Sequence, residues 1–267
     1  RAKNIVREAA LLGGDRKTDI KLRVYGFFYK FAFRTIALSK GVKENLIKKY
    51  RVNSKKLRVI YNPIDLDYIE NKMLNEGIPS DYKDLFRDDV NVIVTAGRLV
   101  EAKDQETLIK AFSIVKKKQK VRLLILGDGP LENKLKKLAS ELEIMNDIHF
   151  IGFQDNPYVF FYNADVFALT SKKEGFGHVI AEALATGTPV VSTNSKPGAK
   201  EILFDGSYEY LTTVGNEEEF AAALDKVLSL SEKERESLIN RGKKRVKNFD
   251  VKSIVKEYES VFSESDT

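Results

Sequence analysis

The sequence predicts an α/β fold built on a doubly wound parallel sheet, and three features predict it. From Asn91 onward, short apolar, β-branched runs alternate with amphipathic stretches, the pattern of consecutive βαβ units. Four loops that follow those runs carry glycine together with charged or polar residues, as the carboxyl ends of parallel strands do at ligand sites. Finally, 267 residues with 43% hydrophobic content suffice to bury a substantial core across one or two domains.

In chain order, the first 60 residues contain a short strand at 35–38, a helix at 41–50 and a strand at 57–61, the tail of a separate α/β unit. The stretch 25–33 places six aromatics among basic residues. It reads as a helix whose aromatic face packs in a core or interface; a membrane anchor would need those rings exposed. Residues 61–90, with Asn62-Pro63, Gly77 and Pro79, read as a connection with a short helix that Asp65-Leu66-Asp67 caps. Strands are then expected at 91–96, 121–127, 148–153, 166–170, 189–194 and 208–211. Leu108, Ala111, Phe112 and Val115 mark one intervening helix face, and Leu131, Leu135, Leu138 and Leu142 another. Helices over 216–230, 233–247 and 251–262 complete the chain. Residues 91–250 thus form a Rossmann-like domain, and 251–267 a C-terminal helix.

Composition excludes several classes. There is no cysteine, and His149 and His178 are the only histidines, so a disulfide framework and a structural zinc site lack their ligands. An intracellular, metal-poor protein is expected. The apolar run 121–126 falls far short of the ~20 residues of a membrane span. Residues 1–60 hold 17 Lys+Arg against 4 Asp+Glu, leaving 28 against 35 in residues 61–267. This basic first quarter suits anionic lipid, nucleic acid or a phosphorylated substrate, or equally a solvated helical surface.

The chemistry lies in the loops. In "AGRLVEAKDQET", Arg98 leaves a strand end and Lys103 precedes Asp104, a candidate N-cap; a cation there is understandable if an anion sits at the helix start. In "LGDGPLEN", Gly127 and Gly129 give only half of a dinucleotide fingerprint, because Glu132 stands where the third glycine is expected. It reads as a tight turn with Pro130 opening the next helix. Gly152 and Phe153 end a strand ahead of an aromatic helix that could flank a nucleobase, with Tyr158, Phe161 and Tyr162 read as core. In "LTSKKEGFGHVIAEALATG", Gly175 and Gly177 leave free N–H groups at a helix start, with Glu174 before it and Glu182 beyond, one turn after His178. Carboxylates on both sides of an anion site fit a ligand with hydroxyls on both sides of a phosphate, the form of a nucleotide sugar.

These segments, with "IGFQDN", "PVVSTN" and the upstream "IALSKGVKENLIKKY" and "KLRVIYNPIDLDYI", resemble the group 1 glycosyl transferases, family 4 of the retaining glycosyltransferases. The resemblance implies the GT-B architecture of two Rossmann domains. It assigns catalytic roles to Arg98 and Lys103, on the donor diphosphate, and to Glu174, on donor-sugar hydroxyls. Gly97, Gly127, Gly152, Phe153, Gly175, Phe176, Gly177, His178, Val179 and Glu182 would bind donor nucleotide and sugar, with Glu182 on the ribose and the Gly152–153 loop on the base. A UDP- or GDP-linked sugar would be the substrate, with no cofactor and no metal. The acceptor would be a saccharide or lipid-linked saccharide, with the basic N-terminal segment at the inner face of the cell membrane and no nucleic acid partner. The D-x-D lettering at Asp65 and Asp67, seen in metal-dependent sugar transferases, is set aside as a cap. Family members carry a larger N-terminal domain, so the chain is expected to be the donor-binding half with an N-terminal remnant. Two alternatives remain: a nucleotide-sugar-binding subunit that needs a partner, and an NAD-dependent oxidoreductase, which the broken glycine fingerprint disfavours.

Overall fold

The computed structural model describes residues 4–8, 26–86, 89–195, 197–204 and 208–264, so Tyr25 of the aromatic stretch lies outside the described residues. Two parallel sheets organise them. The smaller has strand order β1-β2-β3, from β1 (Ile5–Glu8), β2 (Arg34–Ala37) and β3 (Leu57–Val59). Its first strand, with two charged residues in four, has no apolar run to announce it in the sequence. Helix α1 (Lys40–Tyr50) buries Val42, Leu46 and Tyr50, spaced at i, i+4 and i+8, against Ala37 and Leu57. Asp65 caps α2 (Leu66–Asn75) by accepting from the Tyr68 N–H at 2.9 Å, the cap expected there.

The larger sheet has six parallel strands: β4 (Asn91–Ala96), β5 (Val121–Leu126), β6 (Ile148–Gly152), β7 (Val166–Leu169), β8 (Val190–Thr193) and β9 (Leu211–Thr212), in order β6-β5-β4-β7-β8-β9. The chain winds outward from β4 through β5 and β6, then crosses back to β7 and winds the other way. Helices α3 (Gln105–Lys116), α4 (Glu132–Glu141), α5 (Tyr158–Tyr162), α6 (His178–Thr186), α7 (Gly198–Ile202), α8 (Glu217–Leu228) and α9 (Glu232–Val246) connect and follow the strands. Every residue of β7 and β8 is buried, as are Val92, Ile93 and Val94 of β4, so the central strands are covered on both faces. This doubly wound Rossmann-like architecture is the one the sequence predicts.

Locally the chain departs from its sequence pattern in several places. Strand β9 is Leu211–Thr212, not 208–211, because the aromatic rings of Tyr208 and Tyr210 are consumed in core packing and the Tyr208 hydroxyl donates to the Val190 carbonyl at 2.9 Å. Tyr208→Phe should therefore lower stability by about 1 kcal/mol, read as a shift in a denaturant midpoint at unchanged slope. Pro130 does not open a helix; α4 starts two residues later, at Glu132. Asp104 precedes α3 but makes no capping bond to the backbone, because its φ of 52° turns the side chain toward Thr107 Oγ1, at 2.9 Å. The aromatic stretch does not pack as a face: Tyr29 is buried, whereas Phe27, Phe28 and Phe31 are exposed. Tyr162 likewise faces solvent, while Phe161 is core and Tyr158 half-buried.

The last helix, α10 (Val251–Ser263), leaves the large sheet and crosses to the small one. Ile254 and Val261 pack with Ile36 and Ile60, and Glu264 pairs with both Arg34 and Arg58. Among the described residues, no helix is long and apolar enough to cross a membrane.

Candidate functional site

Strand order reverses between β4 and β7, the place where an open α/β sheet leaves a crevice at its carboxyl edge. A cleft of about 380 Å³ lies there, lined by the loops after both strands and by the start of α6. From the β4 side come Ala96, Gly97 and Lys103; from the β7 side come Glu174, Phe176, Gly177, His178, Val179 and Glu182.

Lys103 Nζ and Glu174 Oε1 lie 2.5 Å apart, so the fold joins side chains 71 positions apart in sequence. Ser171 Oγ donates to the same carboxylate oxygen at 2.7 Å. Close backbone approach shapes the neighbouring strand ends. Gly127 has φ of 115°, and a Cβ there would fall 2.3 Å from the Gly97 carbonyl oxygen, while its N–H donates to the Gly152 carbonyl at 2.7 Å. On the other side, Gly177 takes φ of 94° at the N-cap of α6 and offers no side chain to the helix. The N–H groups of His178 and Val179 consequently have no acceptor among the described residues. Phe176, between the two glycines, is buried against Tyr61 and Phe249 and pins the turn.

The cleft also draws titratable groups out of water. Burial holds the Glu182 carboxyl above its ordinary range. No hydrogen bond or ion pair engages it among the described residues. His178 is held below the usual histidine range, chiefly by desolvation and secondly by the charge of Arg7, with Glu174 opposing. Its imidazole is therefore neutral near pH 7, able both to donate and to accept. A cation, unpaired helix N–H groups and two carboxylates thus face one crevice. Together they can hold an anion with hydroxyl-bearing groups on either side.

Not every expected residue converges. Arg98 is exposed and does not line the cleft; its carbonyl accepts from Gln105 at 3.0 Å. Phe153 is 71% exposed beyond the end of β6, and a Cβ on Gly152 would meet open space. Gly175 belongs to the turn without lining the cleft. Conversely, the structure adds residues that the sequence did not single out. Asn62, in the connection from the small sheet, lines the cleft and accepts from Arg7, and Ser171 braces Glu174. Ser171 could have been found as the polar residue closing the β7 run; Arg7 and Asn62 carry no such local signal.

A family model described as "Glycosyl transferases group 1" matches residues 79–245, more than half of the chain, and one described as "Glycosyltransferase Family 4" matches residues 9–68. The chain is 29% identical over 269 residues to an uncharacterized glycosyltransferase of Methanocaldococcus jannaschii, covering 90% of this chain and 66% of that protein. It is 34% identical over 219 residues to the N-acetylgalactosamine-N,N'-diacetylbacillosaminyl-diphospho-undecaprenol 4-alpha-N-acetylgalactosaminyltransferase of Campylobacter jejuni, covering 82% of this chain and 57% of that protein. The chain thus spans between 57% and 66% of the length of these two relatives. Among solved structures, Anabaena HepE in complex with UDP matches with a TM-score of 0.85 at 23% identity, over 98% of this chain and 72% of that one.

Proposed function

The chain belongs to the group 1 glycosyl transferases, and from that premise we propose that it carries the donor site of an enzyme moving a sugar from a nucleoside diphosphate to a hydroxyl acceptor with retained configuration. The observation that carries this reading is the unsatisfied cleft at the sheet's switch point. There the free N–H groups of α6 and the Lys103 ammonium lie between a carboxylate before the helix and another within it.

In this reading the diphosphate sits over the start of α6 and takes Lys103 away from Glu174. Glu182 accepts from ribose hydroxyls, and Glu174 from hydroxyls of the sugar. Arg98, exposed beside cleft-lining Gly97 and unpaired among the described residues, joins Lys103 on the phosphates. The exposed surface at Gly152 and Phe153 receives the base. As the bond from the anomeric carbon to the phosphate oxygen breaks, the electron pair stays on that oxygen. Lys103 and the helix N-terminus stabilise the charge that develops there. The acceptor hydroxyl bonds to the same face of the sugar and its proton passes to the departing phosphate. Neither cofactor nor metal enters this scheme.

The acceptor is a saccharide or lipid-linked saccharide, and the pathway polysaccharide or glycolipid synthesis. Relatives whose names carry a diphospho-undecaprenol acceptor and capsular polysaccharide biosynthesis support that choice. Exposed Phe27, Phe28 and Phe31, with Lys30 over the Phe27 ring, support contact with the inner face of the cell membrane.

Low-salt calorimetry with UDP, GDP, ADP and NAD tests the donor reading. One nucleoside diphosphate should bind selectively, and UDP is expected, since HepE was crystallised with UDP-glucose. Preference for NAD would favour the oxidoreductase reading instead, and no binding of any nucleotide would overturn the donor site.

A further inference from the structure

Glu201, 6% exposed, lies outside the donor cleft and has no role in the scheme above. It belongs to α7, on the large-sheet side of the molecule. Its carboxylate nevertheless reaches the first turn of α1, about 160 positions earlier. Oε2 accepts from the Lys40 N–H and Oε1 from the Gly41 N–H, both at 2.7 Å, and the Tyr61 hydroxyl donates to Oε2 at 3.1 Å. A helix leaves its first N–H groups without internal partners. In α1 the Ser39 hydroxyl takes the Val42 N–H at 3.0 Å, and Glu201 takes the two before it. A buried carboxylate on the positive end of a helix makes charge-assisted bonds stronger than neutral ones. The approach is close enough to demand glycine: a Cβ on Gly41 would fall 2.4 Å from Pro197 Cβ.

The segment that carries Glu201 also holds the donor cleft from its other side. The Gly198 N–H donates to the Glu174 carbonyl at 3.0 Å, within a parallel bridge between Glu174 and Pro197. A Cβ on Gly198 would fall 2.3 Å from the Phe176 carbonyl oxygen. Arg245 grips the far end of the segment, donating to the carbonyls of Glu201 and Ile202. One short piece of chain therefore touches the loop of Glu174 on one side and the start of α1 on the other.

We propose that Glu201 is a positioning residue: by locking α7 onto the first turn of α1, it fixes the loop that carries Glu174 and aligns the donor cleft with the small-sheet unit. Its effect on ligand binding rests on the donor reading above; its effect on the loop does not.

The test is amide hydrogen exchange on the ligand-free chain, followed by UDP calorimetry, for Glu201→Ala, Glu201→Gln and Gly41→Ala. The last variant keeps the carboxylate and favours α1 by propensity, so it loosens only the docking. Exchange should accelerate about tenfold at 40–41 and, together with them, at 198, whose N–H holds the Glu174 carbonyl, while β5 stays protected. UDP affinity should fall about tenfold in Glu201→Ala and about threefold in Glu201→Gln, which retains one acceptor oxygen. Acceleration confined to 40–41 in both alanine variants would reduce Glu201 to a local helix cap and overturn the proposal. Uniform acceleration that includes β5 would do the same, by making the effect general destabilisation. If Glu201→Ala does not fold, Gly41→Ala carries the same comparison. Coupled exchange in a chain that binds no UDP would keep the link and remove the donor reading. Normal UDP binding with unchanged exchange would remove the link alone.

Discussion

Replacing Lys103 by alanine should weaken nucleoside diphosphate binding by about 10- to 150-fold and leave binding of the unphosphorylated nucleoside unchanged. The range corresponds to a hydrogen bond to a charged group, worth roughly 1.5–3 kcal/mol. Lys103 lines the cleft, and its Nζ lies 2.5 Å from the Glu174 carboxylate across the β4–β7 junction. That pair is partly exposed, and its loss should cost little in folding. A large loss of affinity without a matching loss of stability would therefore report on the ligand. Calorimetry with UDP and with uridine separates the cases: equal losses for both would show that Lys103 acts on the shape of the cleft and not on phosphate.

The second large effect runs in opposite directions for binding and stability. Burial raises the Glu182 pKa, so the folded chain holds that proton more tightly than the unfolded chain does. Ionisation of Glu182 then opposes folding. The penalty is present above its folded pKa and is relieved as the pH falls through it. Glu182→Gln should raise the melting temperature near pH 7 by about 2 °C, with the gain shrinking toward acid pH. The same substitution should weaken UDP by roughly tenfold, narrow the preference for UDP over 2′-deoxy-UDP, and leave free pyrophosphate binding unchanged. Thermal melts across pH, paired with calorimetry, check both arms. A variant that gains no stability and binds UDP normally would return Glu182 to the status of a solvated helix residue.

The two glutamates also show how far local reading reaches. Glu174 and Glu182 could be marked because a glycine turn after a β-branched run has a fixed meaning: strand end, then helix start. Lys103 could be marked for the same reason. Their convergence from neighbouring strand ends could be expected, but the direct pairing of Lys103 with Glu174 could not, since it depends on how the loops after β4 and β7 pack. Arg98 shows the converse limit. The loop that bears it follows β4 as expected, but where its side chain lies depends on contacts the sequence does not encode locally, and it is exposed rather than part of the cleft lining. The rings of Phe27, Phe28 and Phe31 were read as packed because aromatic content usually means burial; among the described residues they meet mainly one another and stay more than half exposed.

The alternation of strands and helices, the parallel sheet and the loops in which chemistry could sit are all written locally in the chain. These follow from hydrophobic period and from glycine at turns, and both act over a few residues. The remainder came from long-range packing. It joined Lys103 to Glu174, turned the four-residue run at Ile5 into a strand, carried α10 across to the small sheet, and brought Glu201 to a helix start far away in the chain. A lone carboxylate in a short helix looks like any solvated one until the fold supplies a partner. Which N–H groups lack acceptors, and which charges are drawn out of water to meet them, is settled only when distant segments pack together.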